Sequence, residues 1–150
     1  IALAERCTEL GVTLLVPLVT ERARHVANGL RGAALQRARR RALEACKQCR
    51  RAWATTIDDP CELTGLAHRA PVDRWLLAHR VGVRCPELGS GAAVGWIVGP
   101  EGGLTEEEAA WCTDRVGAMP VGFGRAVLRF DTAAIAAAVL TADRRSAPEE

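Results

Sequence analysis

The stretch Ile97-Val-Gly-Pro-Glu-Gly-Gly-Leu-Thr-Glu-Glu-Glu108 constrains this chain more than any other part of it. An apolar strand runs into a glycine-rich turn, and a capped helix follows at once. Gly99, Gly102 and Gly103 allow positive φ and let a ligand approach bare backbone, while Thr105 with Glu108 three positions later reads as a capping box. An α/β protein builds a ligand pocket at the end of a strand in this way.

The loop's composition limits the ligand. A phosphate cradle calls for a Gly-rich run closed by Lys and Ser or Thr, or for a GxGxxG opening a helix, and neither is present. Instead, Glu101 stands between the glycines and further carboxylates fill the first helical turn, so a polyanion meets fixed negative charge. A neutral or cationic ligand that hydrogen-bonds to backbone, such as an adenosyl sulfonium compound, fits better. The loop alone is equally compatible with a tight turn whose acidic residues only complement the helix dipole.

At 150 residues, 49% hydrophobic and 25% charged, the chain has the make-up of one ordinary globular domain with a core of its own. A formal charge of +2 leaves any basic surface to local clustering. The sequence has no apolar run long enough to cross a bilayer and no signal peptide, so no membrane partner is expected. Cys7, Cys46, Cys49, Cys61, Cys85 and Cys112 are too sparse for a disulfide scaffold and fit a reduced, cytoplasmic protein. Cys46 and Cys49 form a CxxC without a second pair or histidines to complete a zinc site. No metal is expected, and packing is the simpler use of the pair. The chain starts at Ile1 rather than Met, which reads as a fragment with something N-terminal missing.

Elements alternate along the sequence. Residues 1–10 look like the end of a helix closed at Gly11, and 12–19 form a β-branched strand. Residues 20–32 read as a loop. The clearest helix covers about 33–53, where Leu35, Ala38, Ala42, Cys46, Cys49 and Trp53 make a buried stripe opposite Arg37, Arg40, Arg41, Glu44, Gln48 and Arg51. After a turn at Asp58-Asp59-Pro60, strands are predicted at 75–78, 94–98 and 119–121, and helices at 105–116 and 131–142. This alternation argues for an α/β fold with a mostly parallel sheet covered on both faces. Residues 146–150 read as a disordered tail.

The last helix, from Ala133 to Leu140, is apolar nearly all round. A second subunit is the simplest cover in a domain of this size, with burial inside one monomer as the alternative. Just before it lies Gly124-Arg-Ala-Val-Leu-Arg-Phe-Asp-Thr132. Asp131 can cap the helix, and Arg129 either pairs with Asp131 or a glutamate of the glycine loop, or acts as a fixed cation beside a reaction centre.

Four segments in order, Thr8-Glu-Leu-Gly-Val12, Glu44-Ala-Cys-Lys-Gln-Cys-Arg-Arg51, Gly99-Pro-Glu-Gly-Gly103 and Leu128-Arg-Phe-Asp-Thr-Ala133, resemble the catalytic domain of the RsmE-type methyltransferases of the SPOUT superfamily. Those enzymes methylate a uracil N3 in small-subunit ribosomal RNA. The similarity covers about residues 5–140. It implies a SPOUT domain over residues 1–145, Rossmann-like with a mostly parallel sheet and a C-terminal trefoil knot, lacking the family's N-terminal RNA-binding domain. It also implies S-adenosylmethionine as cofactor, ribosomal RNA of the small subunit as partner, and a homodimer. By the same likeness, the cofactor residues are Leu77, Ala78 and His79 at one strand end, Val98, Gly99, Pro100, Glu101, Gly102 and Gly103 in the middle wall, and Phe123, Gly124, Val127 and Leu128 around the adenosyl group.

Methyl transfer to N3 is an in-line displacement by a ring nitrogen that must lose its proton. Arg129 is the candidate for stabilising the uracil oxygens as charge grows on them. Glu44, Gln48 and Arg51, spaced four and three apart, are predicted to share a helical face and to touch the nucleotide or position Arg129; a merely solvated face is the alternative. Arg37, Arg39, Arg40, Arg41, Lys47, Arg50 and Arg51 concentrate charge suited to phosphates. Several positions depart from the family pattern: Ala126 for an arginine, Asp131 for glutamate, Cys49 and Arg50 for serine and glycine, and Arg80 for proline. Two functions are therefore weighed, an rRNA methyltransferase and a catalytically inactive SPOUT-like dimeric module that binds RNA or ribosomes. An unrelated doubly wound domain is a third.

Overall fold

The computed structural model describes residues 2–69 and 71–145. They fall into two compact units, residues 1–69 and 70–150. Every strand pair among the described residues is parallel. The expected α/β character and parallel pairing are present, but as one three-stranded sheet and two two-stranded ones.

The first unit opens with helix α1 (Ala2–Glu9), which packs on the long helix α3 (Gly32–Gln48). Ala4, Leu35, Ala38, Ala42 and Ile57 form its apolar core, with Leu15 and Leu30 against it. The predicted 12–19 strand is split into β1 (Leu14–Leu15) and β2 (Leu18–Val19). Pro17 between them has no N–H to give to a ladder, although its carbonyl accepts from Cys61 N at 3.0 Å. The partner strands β3 (Thr56–Ile57) and β4 (Cys61–Glu62) are interrupted in the same way, by Asp58-Asp59-Pro60. Thr8 Oγ1 lies 2.8 Å from Ala4 O and 2.9 Å from Thr55 Oγ1, within hydrogen-bond distance of both, which ties α1 to the residues leading into β3.

Two expectations are corrected here. Residues 20–32 are not a plain loop: a 3₁₀ turn, Glu21–Ala23, leads into helix α2 (Arg24–Gly29). Ala27 is buried and Arg24 pairs with Glu62 at 2.9 Å, so tertiary contacts hold a helix that the polar, glycine-bearing sequence does not announce. Helix α3 also stops at Gln48 rather than reaching residue 53. Arg51 N bonds to Cys46 O at 3.1 Å and Arg50 takes φ 56°, a left-handed closure that satisfies a terminal carbonyl. Leu35, Ala38, Ala42 and Cys46 of the predicted stripe are buried as expected; Cys49 and Trp53, past the last turn, are exposed.

In the second unit the sheet order is β6-β5-β7, with β5 (Arg74–Val83) flanked by β6 (Val94–Val98) and β7 (Met119–Val121). Leu76, Leu77, Ile97 and Val121 are completely buried, each contributing about 1.5–3 kcal/mol by leaving water. Helix α4 (Glu106–Asp114) precedes β7, and α5 (Phe130–Arg145) packs on β6, where Trp96 Nε1 donates to Thr141 Oγ1 at 2.8 Å. Ala133, Ala137 and Ala138 form the buried side of α5. The helix begins one residue before Asp131, so Asp131 sits in its first turn, and Arg129 O receives the opening bond from Ala133 N at 2.9 Å. The predicted tail, 146–150, lies outside the described residues.

Candidate functional site

In the sheet of the second unit β6 and β7 end on one rung, and the regular pairing of β5 ends there too. Ala78 pairs with Val98 on one side and Val121 on the other, so His79, Gly99 and Gly122 all leave the sheet at the same level. Crevices outside the carboxyl ends of parallel strands are where α/β proteins bind ligands. Leu77 is buried beneath this rung, and Ala78 and Val98 are half-buried on it. Beyond it β5 bulges: Ala78 and Val83 both align with Val121, and the residues between arch away. His79 is exposed in this arch, its Nδ1 2.9 Å from Val81 O and 3.2 Å from Val81 N. At the return of the arch, a Cβ on Gly82 would stand 2.7 Å from backbone atoms of Val121 and Gly122. Only hydrogen fits there, and Gly122 N completes the contact by donating to Val83 O at 3.0 Å.

The glycine loop forms the turn that its sequence foretells, with the conformational freedom used at one position. Gly103 has φ 74° and its N–H closes onto Pro100 O at 2.7 Å; Gly99 and Gly102 do not take positive φ. Gly99 serves close packing instead, because a Cβ there would lie 3.1 Å from Leu104 Cγ. The capping box is complete: Glu108 N donates to Thr105 Oγ1 at 3.1 Å and Thr105 N to Glu108 Oε2 at 2.9 Å. Two amides that a phosphate would need are therefore occupied, and Glu106, Glu107 and Glu108 surround them with negative charge.

The segment after β7 comes back to this loop. Phe123 packs on Trp96 with ring centroids 5.4 Å apart, and Gly124 follows with φ 108° and open space above its Cα. Val127, Leu128 and Arg129 then line a cleft of about 340 Å³ together with Glu101. Arg129 donates to Glu101 at 3.0 Å and lies 4.0 Å from Asp131, so both pairings open to it in the sequence are made. Its side chain is 77% exposed, which makes this ion pair a weak, salt-sensitive tie rather than a fixed anchor. The guanidinium is held near the cleft and is free to be drawn to another partner.

The remaining predicted residues belong to the first unit. Glu44 and Gln48 line a polar pocket of about 190 Å³ with Glu5, Glu9, Arg41 and Ala45. Arg41 bridges Glu5 at 3.5 Å and Glu44 at 3.6 Å. Arg51 does not share their helical face, because α3 has ended: its guanidinium donates to Glu9 O at 3.3 Å and lies over the Trp53 ring at 5.9 Å. Arg39 is likewise committed, donating to Ile57 O at 2.8 Å. Among the described residues no group of three or more His, Cys, Asp or Glu is placed to hold a metal ion. The cysteines are free, and burial pushes the Cys7 and Cys112 thiols up to about 11.

Sequence patterns passed over Gly82 and Gly122, and gave Arg41 to phosphates rather than to Glu5 and Glu44. A lone glycine inside an apolar run is a signal of close backbone approach, and Arg41 with Glu44 is an i,i+3 ion pair. Both signals were present but carried no indication of what lay opposite.

The model of the RNA methyltransferase domain family matches residues 2–142. The chain belongs to that family. Solved structures agree with this methyltransferase domain over most of its length. One is a putative methyltransferase from Legionella pneumophila in complex with bound S-adenosylmethionine (28% identity, TM-score 0.76, covering 93% of this chain and 58% of that one). Another is a ribosomal RNA small subunit methyltransferase E from Neisseria gonorrhoeae, also bound to S-adenosylmethionine (26%, 0.79, 92% and 57%). A probable rRNA-methyltransferase from Porphyromonas gingivalis shares the fold (24%, 0.83, 97% and 61%). The domain thus spans about three-fifths of the length of these chains. No curated protein sequence matches it. Its strand pairing and matches are those of a SPOUT-superfamily methyltransferase domain, and no described helix is long and apolar enough to cross a membrane.

Proposed function

We propose that the chain is an S-adenosylmethionine-dependent methyltransferase acting on a uracil N3 of small-subunit ribosomal RNA. The observation that carries this reading is the convergence of the glycine loop and the Val127–Arg129 segment on one cleft beyond the Ala78 rung. Two neighbours with this fold bind S-adenosylmethionine, and one of them is a small-subunit rRNA methyltransferase. The residues here fit that cofactor on chemical grounds. Glu101 offers a carboxylate to a sulfonium cation, Gly103 and Gly124 present bare backbone, and the occupied amides of the α4 cap disfavour a polyphosphate.

S-adenosylmethionine supplies an electrophilic methyl group. Backbone from Val98 to Gly103 and from Phe123 to Leu128, with Leu77, Ala78 and His79 at the neighbouring strand end, would hold it. Arg129 is the cation of the cleft and would meet the uracil oxygens as N3 loses its proton. Glu44, Gln48 and Arg51 stand as further candidates for contact with the nucleotide. Arg51 would reach it from beyond the end of α3, where its guanidinium donates to Glu9 O and lies over the Trp53 ring.

The same reading includes a C-terminal trefoil knot and a homodimer. In favour of the knot, β7 joins β5 on the side opposite β6, and the following segment returns to the loop after β6. In favour of the dimer, Phe130 and Val139 of α5 are 39% and 45% exposed. Calorimetry with S-adenosylmethionine followed by a methylation assay on small ribosomal subunits tests the proposal. Binding with methyl transfer to a uracil is expected. Binding without turnover would favour a catalytically inactive RNA- or ribosome-binding module, and no binding would overturn the cofactor assignment.

A further inference from the structure

The turn that closes α3 carries an arrangement of which the proposed methyl transfer uses Arg51 alone. Trp53 is 56% exposed although the sequence pattern assigns it to the core. One of its faces is backed by the Arg51 guanidinium, 5.9 Å from the ring centroid. Arg51 is in turn held by Glu9 O at 3.3 Å and packs against Gly11, where a Cβ would collide with it. The indole is therefore positioned in advance, with little freedom to lose when a second planar group stacks on it.

Arg50 adds an independent sign. It is the only non-glycine among the described residues with positive φ, at the helix-closing position that favours glycine. An arginine there strains the backbone, and strain of this kind collects where the side chain is used. Before it in the chain, Arg37, Arg40 and Lys47 recur along the exposed side of α3, and none of these four cations makes an ion pair among the described residues. Glu44 on the same side pairs with Arg41 at 3.6 Å. The electronegative helix end opposes an anion by a fraction of a charge, which Lys47, Arg50 and Arg51 outweigh.

We propose that residues 49–53 form a docking platform for an unpaired nucleobase of single-stranded RNA, with Trp53 as the stacking face and Arg50, Lys47, Arg40 and Arg37 as phosphate contacts. An aromatic face just past the end of a helix that carries a row of exposed cations matches the chemistry of a single strand, in which every base has a π-face and every linkage a charge. The platform rests on the reading of this chain as an RNA-modifying protein and extends it to how the strand is gripped.

The test is fluorescence anisotropy of the full chain with a single-stranded oligouridine of about 12 nucleotides and with a duplex of equal length. Trp53→Ala is expected to weaken single-strand binding about ten-fold and duplex binding little, while Trp53→Phe keeps most of the affinity. Arg50→Gly is expected to raise the Tm and yet weaken RNA binding, a combination that a purely structural residue does not give. No binding by the wild type, equal affinity in Trp53→Ala, or equal loss on single strand and duplex would overturn the proposal. Calorimetry with S-adenosylmethionine on the same variants keeps the two readings apart: platform binding without cofactor binding sinks only the methyltransferase, and the reverse sinks only the platform.

Discussion

Gly82→Ala is the most informative perturbation of this fold, because it strikes the contact that brings the segment after β7 against the end of β5. The added methyl would stand 2.7 Å from Val121 N, Val121 C and Gly122 N, whereas ordinary contact begins at about 3.4 Å. All three obstacles are backbone, so no rotamer change relieves them. The strands must part, which costs about 1–3 kcal/mol as overpacking, and the Gly122 N to Val83 O bond is lost for about 1 kcal/mol more. A total of about 2–4 kcal/mol in a chain of this length lowers Tm by roughly 5–15 °C. Differential scanning calorimetry measures the fall, with Gly91→Ala as the control, since a Cβ there meets nothing within 4 Å. S-adenosylmethionine affinity should drop with it, because Phe123 to Leu128 are displaced together. A Tm for Gly82→Ala equal to that of the control would refute the close approach and the sheet register drawn from it.

Arg129→Ala should lower turnover about a hundred-fold while changing cofactor affinity little, as expected of a group that stabilises developing charge; equal loss of both would make it a cofactor ligand. Its exposed pair with Glu101 should contribute under about 1 kcal/mol to stability, checked by urea unfolding of the same variant. Thr105→Ala removes the acceptor of Glu108 N and should destabilise the chain by about 1 kcal/mol, and an unchanged urea midpoint would contradict the capping box. With an alkylating reagent at neutral pH, exposed Cys49 should be labelled well before buried Cys7 and Cys112. Those two thiols titrate near 9 when unfolded and about 11 when folded, so the unfolded state binds fewer protons between these values. Their contribution is complete below pH 9 and is lost as pH rises toward 11, and stability constant across that window would count against their burial.

The glycine loop and its cap were legible because every bond involved is local. Gly103 closes on Pro100 and Thr105 on Glu108, each within three residues, so the order of residue types fixes the geometry. The same holds for β6, whose bounds at 94–98 follow from an unbroken apolar run, and for the alternation that demands parallel pairing. The sequence also offered Arg129 the two carboxylate partners that it finds, beside its reading as a cation at a reaction centre.

Which elements meet is a different matter, set by pairings of residues far apart in the chain. Helix α2 exists because Ala27 found a buried place and Arg24 a partner in Glu62, neither of which its own composition advertises. The apolar period running on to Trp53 gave no warning that Arg50 would turn left-handed and leave the indole in water. Gly82 and Gly122 signal a close approach without naming its partner; their importance lies in the backbone that each faces. Local hydrogen bonds and periodicity are written in adjacent residues, whereas close approach and exposure arise only when distant segments are brought to the same point in space.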